Sequence, residues 1–297
     1  VAREKQGGNL PGGNPQSRRL LLGDELRSLR ASRKMTADQA GREIDRSGSW
    51  VSRIEAGKIG IRVRELHELL DVYGVASLSS RKYLEGLAVE GRQRTWWSAY
   101  RDIVGESYSV YIGLEDAAER IFEFQERVVP GLLQTIPYMR ALFERFSVVA
   151  DWAVGEPEID RLIQVRVRRQ DILNRRPLPK LVVVIDESVV RRVVGGIEVQ
   201  RDQLRHLVDC ASRIDLRILS FRAMSGPAMT SSFTLLRSPG RSPIAFREDM
   251  GRSDVYHDAL AAPYVAMADW LLTNSLSTEE TVLLLLQALN ELSEEAP

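Results

Sequence analysis

Residue types able to recognise a nucleic acid are concentrated in one short run, Met35–Lys58, MTADQAGREIDRSGSWVSRIEAGK. Hydroxyls at Ser47, Ser49 and Ser52, the guanidinium of Arg53 and the ammonium of Lys58 follow one another at helical spacing. Val51 and Ile54 are the apolar pair of this run, so they face inward and leave Ser49, Ser52 and Arg53 on the opposite side, where a major groove could be met. Ser47 is suited to N-cap the helix and Gly57 to end it in a left-handed conformation. Lys58 then follows as a candidate phosphate contact. Trp50 is open to two readings, packing beside a deoxyribose or thymine methyl, or covering the edge of the core.

Elsewhere, chemistry-bearing residues are scattered. His67, His206 and His257 stand without a metal-ligand or His–carboxylate spacing, and His206 with Cys210, four residues on, supplies only two ligands. Asp186 and Glu187 form an acidic pair at a strand end, where polar residues are ordinary. Gly195 and Gly196 read as a turn, because the glycine-rich phosphate signatures are missing. Ser225–Ser232 carries no nucleophile elbow and reads as a loop that orders on binding. The expectation is a protein with no catalytic residues, metal site or cofactor, and not an enzyme. Two groups remain as ligand or partner candidates. Trp96 and Trp97, with Tyr100 and Tyr111, could cage a ligand, although adjacent tryptophans at a junction more often glue domains. The run Arg161, Arg166, Arg168 and Arg169 suits a second polyanion surface or a partner-binding face, against the plainer reading of a solvated helix face.

The elements that must position these groups fall into two sets. The chain has 297 residues, 44% hydrophobic and 28% charged, which excludes a wholly disordered polymer and suggests two domains. Residues 1–94 hold 18 basic and 12 acidic residues, against 23 and 29 in the remainder, so a basic first third sits on an acidic body within a chain of zero net charge. One cysteine, an N-terminus lacking a signal-peptide core and no apolar run near the ~20 residues of a membrane span point to a soluble, cytoplasmic protein. After a flexible, Gly- and Pro-rich lead, residues 1–17, order is expected near Arg19. Narrow apolar stripes then mark five short helices: Leu22, Leu26 and Leu29; Ala40 and Ile44; Val51 and Ile54; Val63, Leu66, Leu69 and Leu70; Tyr83, Leu84, Leu87 and Ala88. None is stable alone, so they must pack together.

Beyond Trp97 the pattern changes to mixed α and β. Ile121–Val129 is a candidate strand or a helix-to-strand transition, followed by helices near 136–145 and 158–173. Strands are expected at Leu181–Asp186, Ile214–Phe221, Ser231–Ser238 and Pro243–Glu248. An amphipathic helix, Glu198–Ala211, suits a crossover between parallel strands, and Ser277 with Glu280 reads as the capping box of a final helix. The expected fold is an all-α, five-helix N-terminal domain plus a larger mixed α/β domain, with a helix-turn-helix domain over 18–76, a connecting helix over 77–96 and the mixed domain over 97–297.

The run S-x-S-x-V-S-R-I-E-x-G-K, preceded by T-x-x-Q-x-x-x-x-I and a leucine-striped helix, resembles the Cro and phage-repressor type of helix-turn-helix, the XRE-like family, over Arg19 to about Val75. By position, the resemblance implies base contacts from Ser49, Ser52, Arg53 and Trp50. It implies phosphate contacts from Ser47, Lys58 and Thr36, and a fold-locking pair of Arg30 with Glu55 beneath Val51 and Ile54. Gly48 stands where many relatives carry a long amide side chain, and Ala37 replaces a common polar phosphate contact, which moves weight to Arg53 and to DNA shape. From Trp97 to about Asn290, the segments VPGLLQT (Val129–Thr135), QVRVRRQDIL, LVVVIDESVVRRVVGG and RIDLRILSF resemble the large C-terminal domain of actinobacterial antitoxin-like regulators, which include WhiJ-like developmental regulators. A dimeric repressor on a palindromic operator in double-stranded DNA is expected, because one recognition helix contacts few bases, and the resemblance implies control by a small partner protein encoded nearby. The alternative is a one-component regulator whose C-terminal domain senses a small molecule near Trp96, Trp97 and Tyr111.

Overall fold

The computed structural model describes residues 14–149, 155–223, 231–238, 242–249 and 252–294. These form two compact units, one of the described residues up to Ala99 with Ser109–Ala117, the other of Tyr100–Tyr108 with the described residues from Ala118 on. The expected loop at Ser225–Ser232 lies for the most part outside the described residues.

The first unit is all helical, with α1 (Pro15–Ser32), α2 (Ala37–Arg42), α3 (Gly48–Glu55), α4 (Val63–Val72) and α5 (Leu78–Gly91). Order begins earlier than Arg19. Asn14 is the N-cap of α1, its side chain accepting from the Ser17 amide, and Pro15 occupies the first helical position, where its missing N–H costs nothing. The Gly- and Pro-rich composition of the expected lead hid this start. Short side-chain caps set the other beginnings: Thr36 with Gln39 as a capping box for α2, Ser47 for α3 and Ser77 for α5. The stripes converge on one core of Leu22, Leu26, Ala40, Ile54, Leu66, Leu69, Leu70, Leu84, Leu87 and Ala88. Leu84, Leu87 and Ala88 belong to that core, so the helix expected over 77–96 packs within the five-helix domain. The unit is completed by a 3-10 turn from Trp96 and by the Ser109–Asp116 part of α6 (Glu106–Asp116). Asn14 donates to the Gly113 carbonyl (3.0 Å), and Gly113 lies against Gln16 and Trp97 with no room for a side chain. The mixed domain therefore does not begin at 97.

The second unit holds one six-stranded sheet, order β3-β2-β1-β4-β5-β6. Its strands are β1 (Arg120–Gln125), β2 (Lys180–Asp186), β3 (Asp215–Leu219), β4 (Phe233–Arg237), β5 (Ile244–Asp249) and β6 (Arg252–Tyr256). β1, β2 and β3 run parallel; β4 pairs antiparallel with β1, and β5 and β6 continue antiparallel. α7 (Ile136–Val149) and α8 (Glu156–Gln170) connect β1 to β2, while the short α9 (Glu187–Arg191) and α10 (Ile197–Ala211) connect β2 to β3. α11 (Ala262–Asn274) and α12 (Thr278–Glu294) close the chain. The expected fold class holds, as does the α10 crossover. β6 and α11 are additions, since RSDVY lacks an apolar run and α11 has no marked apolar stripe.

Leu181–Ile185 are all buried, as a strand covered on both faces requires. On one face α11 packs against Phe124, Val184, Phe233 and Ala245, with Tyr264 5.4 Å from the Phe233 ring. Edge strand β3 is held from outside: the Ile218 amide donates to Thr281 Oγ1 (3.0 Å) and its carbonyl accepts from the Leu276 amide (2.9 Å). The Val129–Thr135 turn is fixed by glutamines. Gln203 donates to the Leu133 carbonyl and accepts from the Thr135 amide, both at 2.7 Å, and Gln170 donates to the carbonyls of Gly131 (3.1 Å) and Gln134 (2.8 Å).

Candidate nucleic-acid interface

Three close backbone approaches position α3. A Cβ on Gly23 of α1 would stand 2.4 Å from the Glu55 carbonyl oxygen, and one on Gly41 of α2 2.6 Å from that of Arg46. At Gly48 a Cβ would meet the Asp38 side chain and, at 2.7 Å, its backbone nitrogen, so the long amide side chain of many relatives has no place here. The turn between α2 and α3 passes through Asp45 at φ 53°, with the Arg46 amide returning to the Gly41 carbonyl (2.8 Å). Asp is one of the few residues that adopts this region at modest cost.

The inner face of α3 is anchored by Val51 and Ile54, both buried, and by Glu55. Arg30 grips Glu55 with two parallel bonds of 2.7 and 2.8 Å and also donates to the Met35 carbonyl (2.7 Å). That bidentate contact is the leading influence on Arg30, raising its pKa.

The outer face presents Ser47, Ser49, Ser52, Arg53 and Lys58, all exposed. Ser47 Oγ accepts from the Trp50 amide (3.2 Å) and lies 3.3 Å from Ser49 Oγ. Among the described residues nothing hydrogen-bonds or ion-pairs with the side chains of Ser52, Arg53 or Lys58. Thr36, exposed at the start of α2, accepts from the Gln39 amide (3.1 Å). Trp50 is half-buried against the core, with the Arg46 guanidinium 5.6 Å from its ring centre and Arg46 in turn bonded to Glu65 (2.6 Å). The Trp50 ring thus covers the core edge.

The remaining candidates lie apart from this face. Trp97 and Tyr111 are buried within the helical unit, the Tyr111 hydroxyl donating to Glu115 (2.7 Å), and Trp96 meets Trp97 edge-on at 5.5 Å. Trp96, Trp97 and Tyr111 belong to the helical unit, and the sheet to the other. Asp186 caps α9, and Glu187 ties α9 to the end of β3 by accepting from the Phe221 amide (2.9 Å), Ser220 (3.0 Å) and Arg191 (3.2 Å). Cys210 Sγ lies 3.5 Å from His206 Nε2, but burial pushes its thiol up to about 11 and lowers the His206 pKa. Among the described residues no three metal-binding side chains cluster. Within the arginine run, Arg161 pairs outward with Asp102 (2.6 and 2.9 Å), whereas Arg169 is buried and Arg166 partly so. Sequence spacing alone treats these as one face; only the packing of α8 separates them.

An exposed hydrogen-bonding row on the second helix of a helix-turn-helix, pinned from behind, defines the class of DNA-binding transcriptional regulators. Residues 21–82 match the model of a helix-turn-helix domain, in keeping with an XRE-like regulator. Residues 108–287, more than half of the chain, match the model of DUF5753, a domain of unknown function, and the chain belongs to that family. No curated protein and no solved structure matches the chain. Among the described residues, no helix is long and apolar enough to cross a membrane.

Proposed function

We propose that this protein is a sequence-specific, dimeric repressor, without enzymatic activity, that reads a palindromic operator through α3 and receives its control signal in the sheet domain. The observation that carries the DNA reading is the outward row Ser49, Ser52 and Arg53, exposed on a helix whose inner face is locked by Glu55 and Arg30. Arg53 is placed to bind guanine, and Ser47, Lys58 and Thr36 to meet phosphates on either side. One such helix contacts few base pairs. Two copies with α3 about 34 Å apart would read successive major-groove faces. The resemblance to antitoxin-like, WhiJ-like developmental regulators supports a small protein, encoded nearby, as the signal in the cytoplasm or at the nucleoid. Its binding would shift operator occupancy by altering the spacing of the two recognition helices.

Selection from a randomised duplex pool with the full chain tests this reading. Two inverted half-sites about one helical turn apart are expected, and enrichment should vanish with Arg53→Ala. Enrichment of no sequence, or equal enrichment by Arg53→Ala, overturns it. A second reading, a small-molecule signal, is favoured by one observation, the inward-facing arginines of α8.

A further inference from the structure

Arg166 is an enclosed cation with an incomplete set of partners. Its guanidinium lies 4.3 Å from the centre of the Phe143 ring, donates to Gln134 Oε1 and is hydrogen-bonded to Tyr108. Among the described residues no carboxylate forms an ion pair with it. A guanidinium offers five N–H donors and two protein acceptors engage it here, which leaves donors for a group entering from solvent. Arg166 as a whole is partly accessible to solvent, yet desolvation is the leading influence on its guanidinium and lowers its pKa. Arg169, one turn along α8, adds to that lowering and also bonds the Tyr108 hydroxyl, with its guanidinium 5.2 Å from the ring centre. Glu248, at the end of β5, is attracted by both arginines without forming an ion pair with Arg166, and its own pKa is raised, desolvation first. An enclosed charge of this kind is costly to keep unless a counter-charge binds it.

We propose that Arg166, with Gln134 and Tyr108 beside it and Phe143 beneath it, binds a small oxyanion, the carboxylate or phosphate group of a metabolite. The planar fork of arginine matches both groups in a bidentate manner. Gln134 gives the site a mechanical consequence. Its Oε1 accepts from Arg166 while its Nε2 donates to the Val129 carbonyl (2.6 Å), so the bound anion and the Val129–Thr135 turn share one amide. The inference deepens the small-molecule reading, and rests on it only for any effect at DNA; binding is measured without DNA.

The test follows thermal unfolding of the full chain in inorganic phosphate and, separately, in malonate, each against chloride of equal ionic strength, for wild type, Arg166→Met and Arg166→Lys. An anion at about 100 times its dissociation constant should raise the wild-type midpoint by about 5–10 °C. Arg166→Met should show no such rise and, without anion, should be at least as stable as wild type, because it removes an enclosed charge. If Arg166→Met does not fold, Arg166→Lys should fold and lose most of the response, since a point charge does not replace the fork. The arm that responds identifies the anion as carboxylate or phosphate. Equal midpoints in anion and chloride for wild type, or equal rises in wild type and the folded variant, overturn the proposal.

Discussion

Arg53 and Arg30 separate two kinds of arginine by what surrounds them. Arg53 is exposed with no partner among the described residues, so Arg53→Ala should change stability by less than about 0.5 kcal/mol. It should nonetheless weaken operator binding by about 1–3 kcal/mol, read by titrating labelled duplex. Arg30→Ala should do the reverse, costing about 3 kcal/mol in urea unfolding, because it removes both short bonds to the 3% exposed carboxylate of Glu55 and leaves it only the Arg27 guanidinium at 3.7 Å. Cys210 supplies a pH test. Burial holds its thiol protonated up to about 11, so stability it contributes is fully present below the unfolded thiol's pKa and is lost as pH rises through about 11. At pH 8 its alkylation in the native protein should be much slower than in the unfolded chain; equal rates would contradict the enclosure. The exposed row Ser49, Ser52 and Arg53 was legible because it obeys one helical spacing. Arg166 was not, because sequence cannot say which of four arginines on one helix turns towards Phe143.

At the scale of elements, most helices and strands were visible from their apolar stripes and caps, and the failures have physical causes. β6 carries polar residues at an edge, and α1 starts behind Asn14 in a segment whose glycines and prolines suggest a coil. Ser47 caps α3 with its side chain, so Ser47→Ala should lower stability by about 1 kcal/mol and loosen DNA binding by presenting a frayed recognition helix. Gly48→Gln, the change towards the long amide of many relatives, should destabilise the helix-turn-helix, since even a Cβ meets the Asp38 backbone at 2.7 Å. A thermal midpoint equal to wild type would show that α2 and α3 can separate there. The glutamine contacts around Val129–Thr135 were beyond sequence reading, because an amide satisfying a distant carbonyl leaves no periodic trace.

For the whole molecule, the basic excess of residues 1–94 suits a phosphate-dominated interface, and operator affinity should fall steeply with salt, the slope of log K against log[salt] giving the number of phosphates met. A boundary near residue 96 looked natural from the change in pattern, yet Ser109–Ala117 packs with the helical unit. A fragment ending at 117 should therefore melt well above one ending at 96, which loses the Asn14–Gly113 bond and the cover of Trp97. The strap that Thr281 and Leu276 place along Ile218 bears on a different property, colloidal behaviour. A strand margin left bare recruits the margins of other molecules, and growth from such a seam is self-templating. Here the chain seals that seam with the start of α12, so a nascent polypeptide remains open to edge-to-edge growth until Leu276 and Thr281 are in place and the strap closes.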